Sequence, residues 1–89
     1  MTTEERLRER LRTHLGQVLG MAPEAIDLSK GLSTYGLDSI DAVLMAGDLE
    51  ESFGIEIDPA RFLAFDTFAD IITTLAPDID KERGRPVSS

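Results

Sequence analysis

Ser39 is the residue whose neighbours best suit it to chemistry. It follows Asp38 and precedes Ile40, with Gly36 and Leu37 just upstream. Aspartate is a favoured N-cap, so the sequence predicts a helix beginning at Asp38 with Ser39 in its first turn. Free backbone N–H groups and the positive end of the helix macrodipole gather there and favour a phosphate. A turn at Gly36 and an apolar anchor at Leu37 would leave the hydroxyl at a loop-helix corner, within reach of a modifying enzyme. A phosphoserine or a phosphodiester is the chemistry this setting fits.

Other reactive residues offer less. His14 is the single histidine, and a hydrolase would need it beside Ser39 and an acid. It falls on the edge of an amphipathic helix and the chain lacks a Gly-x-Ser-x-Gly elbow, so it reads as a surface or boundary residue. The chain has no cysteine, which removes disulfides, thiolate zinc sites and cysteine nucleophiles together. The acidic residues lack the spacing of a calcium loop. Arg6, Arg8, Arg10 and Arg12 interleave with glutamates, a pattern of surface ion pairs rather than of an anion site.

The elements that must position Ser39 fit one small domain. The chain has 89 residues, 42% of them hydrophobic, with four phenylalanines, one tyrosine and no tryptophan. Its core must therefore be mainly aliphatic, and such domains bury only about 60% of their unfolded surface. Leu7, Leu11, Leu15, Val18 and Leu19 share one face of a first helix over 3–19, opened by a Thr2/Glu5 capping box and stopped at Gly20. Residues 21–37 read as a long ordered loop in which Ile26, Leu28, Leu32, Tyr35 and Leu37 are anchors. The second helix runs from the Asp38 cap to Phe53, before Gly54. Asp58-Pro59 opens a short helix through Phe65, and Thr67 with Asp70 opens a last one carrying Phe68, Ile71, Ile72 and Leu75. The stretch 53–57, FGIEI, alternates like a strand but has no partner and reads as loop. The fold class is all-α, a four-helix bundle with one short helix and a long first connection. Residues 1–76 form the domain, and 77–89 read as a flexible tail.

The segment 35–57 resembles the acyl and peptidyl carrier protein family, whose members bear phosphopantetheine on the serine of a Gly-x-Asp-Ser-[Leu or Ile] motif. Gly36, Leu37, Asp38, Ser39 and Ile40 match that motif. The interval from Asp38 to Gly54 is similar to the family's second helix, ARFLAFDTFADI resembles its third and the start of its fourth, and the likeness covers roughly residues 5 to 76. It implies that Ser39 is the attachment site, that Asp38 serves transferase recognition or only the helix cap, and that phosphopantetheine comes from coenzyme A. The protein would then be a non-catalytic carrier of acyl, polyketide or aminoacyl thioesters. Its implied partners are a phosphopantetheinyl transferase, an acyl-loading enzyme (an adenylating ligase or an acyltransferase), and condensing or tailoring enzymes. Many members have an acidic or polar residue after the Val43 position, where this chain has Leu44. Gly47, Asp48 and Leu49 with FLAFDTFADI resemble carriers of polyketide or related natural-product pathways. The competing function is an unmodified acidic helical adaptor. With Met1 close to the first helix, the chain reads as a discrete carrier.

A partner face is also legible. Ile40, Val43, Leu44 and Gly47 form one strip of the second helix, and Met45, Leu49 and Phe53 form another, so burial of one leaves the other exposed. No basic residue lies between Lys30 and Arg61, while Asp38, Asp41, Asp48, Glu50, Glu51, Glu56 and Asp58 do. Such acids can be a merely solvated face. Beside an apolar strip they would steer a partner rich in arginine or lysine, with Ile40, Asp41, Val43, Leu44, Gly47, Glu50 and Glu51 as the contacts. The formal charge of −8 argues against nucleic acid and anionic membranes. No apolar run is long enough for a membrane span, so a soluble, cytoplasmic monomer is expected.

Overall fold

A computed structural model describes residues 2–83 of the chain. It contains four helices: α1 (Thr3–Leu19), α2 (Ser39–Phe53), α3 (Ala60–Leu63) and α4 (Phe68–Arg83). The connection between α1 and α2 includes two single 3-10 turns, Pro23–Ala25 and Ser33–Tyr35. No strand occurs among the described residues, and the segment after Phe53 is a turn and bend followed by irregular chain that buries Ile57. Among them, no helix is long and apolar enough to cross a membrane.

Each helix starts where local chemistry satisfies its first N–H groups. Thr2 and Glu5 form the predicted capping box of α1, and Gly20 closes it in the left-handed conformation at φ 67°. Leu7, Leu11 and Leu15 are buried, and burying each such side chain contributes about 1.5–3 kcal/mol. Val18 departs from the expected face and is 45% exposed. The chain after Gly20 turns back so that the Met21 N–H bonds to the Gly16 carbonyl at 2.9 Å, which covers the opposite side of the helix.

Asp58 opens α3 by accepting the N–H of Ala60 on its side chain at 2.9 Å and that of Arg61 on its carbonyl at 3.0 Å. The helix ends at Leu63 rather than Phe65. Its anchor is fully buried Phe62, and Arg61 reaches Asp78 of α4 at 2.6 Å.

The Thr67 hydroxyl accepts the N–H of Asp70 at 3.1 Å, opening α4 as its sequence predicts. The expected end near residue 76 is corrected, because α4 continues through Pro77 to Arg83. Proline removes one N–H from the helical ladder, but Ile79 beyond it is fully buried in the core, and the Thr3 hydroxyl donates to the Asp80 carboxylate. Residues 77–83 are thus helix, anchored on the core through Ile79, while 84–89 of the expected tail lie outside the described residues.

The core lies where α1 meets α4 and α2 and where α3 wedges between α2 and α4. It is mainly aliphatic, with Phe62 and Phe68 as its fully buried aromatic side chains. Ile26 and Leu28 of the connecting loop join it, and Leu32, Tyr35 and Leu37 pack at its margin. The loop is therefore part of the folded body.

Candidate functional site

The connecting loop delivers the chain to Ser39 along a fixed path. The Leu28 and Lys30 carbonyls accept the N–H groups of Ala69 and Phe68 at 2.8 and 2.9 Å, joining the loop to the start of α4. Gly31 lies so close to this junction that a Cβ there would sit 2.0 Å from the Asp66 carbonyl oxygen. Only glycine permits that approach. Tyr35 accepts the Asp27 N–H on its hydroxyl at 2.8 Å and stacks on Phe68 with ring centres 6.3 Å apart. The Leu37 N–H bonds back to the Leu32 carbonyl at 2.9 Å, which closes the turn before Asp38.

At Asp38 the backbone is extended and α2 begins. The Asp38 carboxylate accepts the N–H groups of Ile40 and Asp41 at 3.0 and 3.2 Å, and the Asp41 carboxylate accepts the Asp38 N–H at 3.1 Å. Ser39 is the first helical residue and is exposed. Its hydroxyl has no hydrogen-bond partner among the described residues. Of the first-turn N–H groups that the sequence leaves open to a phosphate, Asp38 occupies two, those of Ile40 and Asp41.

Along α2 the two predicted strips separate. Met45 and Leu49 are buried with Ala42 and Ala46, and Phe53 is only partly buried, with the Arg6 guanidinium 6.0 Å from its ring centre. Ile40, Val43 and Leu44 are 68%, 54% and 55% exposed. Gly47 and Glu51 continue that face and are exposed too. Leu63 of α3, also 55% exposed, is a further apolar surface residue that sequence reasoning missed; a four-residue helix has too little period to reveal which side chain faces out.

The acidic residues divide by what they touch. Asp48 is not part of an open field: Arg10 of α1 grips it through two hydrogen bonds of 2.8 and 2.6 Å. The Arg10 side-chain hydrogen bond holds the Asp48 carboxyl below its ordinary value, against the effect of burial. The same bond raises Arg10. This arginine thus pairs across to α2 rather than with glutamates of its own helix. His14 lies at the edge of the pair, its Nδ1 4.0 Å from Asp48. Glu50 is half-buried and accepts the Ile57 N–H at 2.6 Å, fastening the turn after α2. Asp41 and Asp58 cap helices. Glu51 and Glu56 remain exposed. Among the described residues no cluster of histidine, cysteine or carboxylate side chains could hold a metal ion.

An exposed serine at the head of α2, in an acidic helical body, accords with comparison to known proteins. The family model described as phosphopantetheine attachment site matches residues 9–75. The chain belongs to that family, and as a member of it is a carrier whose prosthetic group is covalently attached phosphopantetheine. It is 35% identical over 66 residues to an acyl carrier protein of Campylobacter hominis, covering 73% of this chain and 84% of that protein. It is 28% identical over 78 residues to polyketide synthase PksM of Bacillus subtilis and 32% over 75 residues to polyketide synthase ThaG of Burkholderia thailandensis, covering 88% and 84% of this chain. The chain spans only 2% and 1% of those two synthases.

Proposed function

We propose that Ser39 is the attachment residue and that the chain carries acyl intermediates as thioesters in a polyketide or related natural-product pathway. The observation that carries this reading is the exposed first-turn serine with an unengaged hydroxyl, held between two mutually capping aspartates. The two synthase relatives support the pathway class.

In the loading of the arm, the Ser39 oxygen attacks the phosphorus of coenzyme A that bears pantetheine. An O–P bond forms, the bond to the nucleotide breaks, 3′,5′-ADP leaves and the hydroxyl proton passes to the transferase. The arm supplies the thiol that the sequence lacks. The protein contributes placement: it presents cargo at high local concentration to an adenylating ligase or acyltransferase and then to condensing or tailoring enzymes. Ile40, Val43, Leu44 and Leu63 offer these enzymes apolar contacts, and the acidic surface steers them. The carrier works as a cytoplasmic monomer.

Incubation with coenzyme A and a broad-specificity phosphopantetheinyl transferase tests the reading by intact mass. A gain of one phosphopantetheinyl group is expected. No gain, on a chain that is helical by circular dichroism, would favour an unmodified adaptor.

A further inference from the structure

With four residues, α3 is too short to hold its own shape, since isolated helices below about 12 residues are marginal in water. Its attachments to the rest of the protein decide whether it stays closed. Of Ala60–Leu63 only Phe62 is buried, whereas α1 buries Leu7, Leu11 and Leu15 and α2 buries Ala42, Met45, Ala46 and Leu49. Asp58 caps it, and Arg61 ties it to Asp78 of α4 at 2.6 Å. Asp78 stands on a part of α4 beyond residue 75, where the family match ends. That last part of the helix is seated by the fully buried Ile79 and bonded through Asp80 to the Thr3 hydroxyl. One stretch of helix therefore holds both α3 and the first turn of α1.

From this arrangement we propose that the end of α4 is a clasp on α3: the Arg61–Asp78 pair holds the short helix closed, and its release opens α3 locally while α1, α2 and the body of α4 stay folded. The opening is local because α3 has one buried side chain to give up, so its opening free energy falls below that of the whole domain. It is also sensitive to ionic strength. Arg61 and Asp78 are 35% and 47% exposed, so salt screens the attraction between them. The position of α3 bears on Ser39 through a cleft in which Phe62 and Leu63 stand with Leu32 and Leu37 of the connecting loop. Leu37 precedes Ser39 by two residues. The clasp thus fixes one wall of the concavity nearest the serine, and Arg61 and Asp78 are positioning residues for it.

The test is native-state hydrogen exchange on the full chain, read by NMR for wild type, Arg61→Gln, Asp78→Asn, the double variant and Asp80→Asn. The reporters are the Phe62 and Ala64 N–H groups, which bond to the Pro59 and Ala60 carbonyls at 3.0 and 3.1 Å, with the amides of Met45 and Leu49 in α2 as the reference. Each single variant of the pair is expected to speed exchange at the reporters by about two- to fivefold, the range of an exposed ion pair, and to leave the reference amides unchanged. The double variant should add nothing further, as for two residues that act through one contact. In 1 M salt, where the screening length is about 3 Å, the gap to wild type should shrink. Asp80→Asn should leave the reporters at their wild-type rate, because its partner is on α1. Equal acceleration in α2, additive single effects, a salt-independent gap, faster reporters in Asp80→Asn, or wild-type reporters already exchanging at the free-chain rate would each overturn the proposal. The experiment needs no group on Ser39, so its result stands apart from the assignment of the attachment residue.

Discussion

Asp38 and Asp41 cap one another's backbone. Asp38 accepts the Asp41 N–H at 3.2 Å, and Asp41 accepts the Asp38 N–H at 3.1 Å, with Ser39 between them. The orientation of the serine thus follows from its neighbours. Asp38→Asn keeps an N-cap acceptor and should hold stability within about 0.5 kcal/mol, whereas Asp38→Ala should cost about 1 kcal/mol. Denaturant titration measures both. Equal losses would show that charge, rather than capping, fixes this turn.

Reversing the acids of α2 should separate steering from structure. Glu51→Lys should leave stability within about 0.5 kcal/mol, as surface changes usually do, while slowing association with the transferase at low salt and less so at high salt. Glu50→Lys loses the bond to the Ile57 N–H and should also cost about 1–3 kcal/mol for the donor left unpaired. Stopped-flow association against ionic strength, with denaturation of each variant, checks the pair. A salt-independent Glu51→Lys effect would count against steering.

The two strips of α2 predict opposite mutational behaviour. Leu49, 1% exposed, should cost roughly 2–5 kcal/mol on truncation to alanine. Phe53→Ala should cost less, because that ring is only partly buried. Leu44→Glu should leave the denaturation midpoint nearly unchanged and impair transfer with a partner enzyme. Unfolding by Leu44→Glu would place that residue in the core.

The Arg10–Asp48 pair gives a pH dependence of known sign. Arg10 holds the Asp48 carboxyl low, so the pair's stabilisation is fully present above the unfolded value of about 3.9 and is lost as pH falls through the lower folded value. Asp48→Asn should be less stable than wild type by about 0.5–1 kcal/mol at neutral pH, given the partly exposed setting. That gap should close below about pH 4. A gap that persists at pH 2 would exclude the pair as its source.

Much of this was legible in one dimension because capping is local. Thr2 with Glu5, Asp38 before Ser39, and Thr67 with Asp70 each mark a helix start, and the structure finds the expected bonds. The exposed strip of α2 was legible because two apolar faces cannot both pack on one core. What escaped is long-range. The role of Glu50 depends on Ile57, that of Asp48 on Arg10, and the need for Gly31 on Asp66, none of which periodicity connects. The length of α4 escaped because Pro77 is a local stop signal, overridden by tertiary burial of Ile79.

The most direct measurement is to locate the modification itself. Wild-type protein and Ser39→Ala, each incubated with coenzyme A and a broad-specificity transferase, would be digested and the modified peptide sequenced by tandem mass spectrometry. The account predicts one phosphopantetheinyl group on the peptide containing Ser39, none on Ser39→Ala, and the same helical circular dichroism for both, since alanine is well tolerated at an exposed first-turn position. Modification of another serine, or undiminished modification of Ser39→Ala, would contradict it.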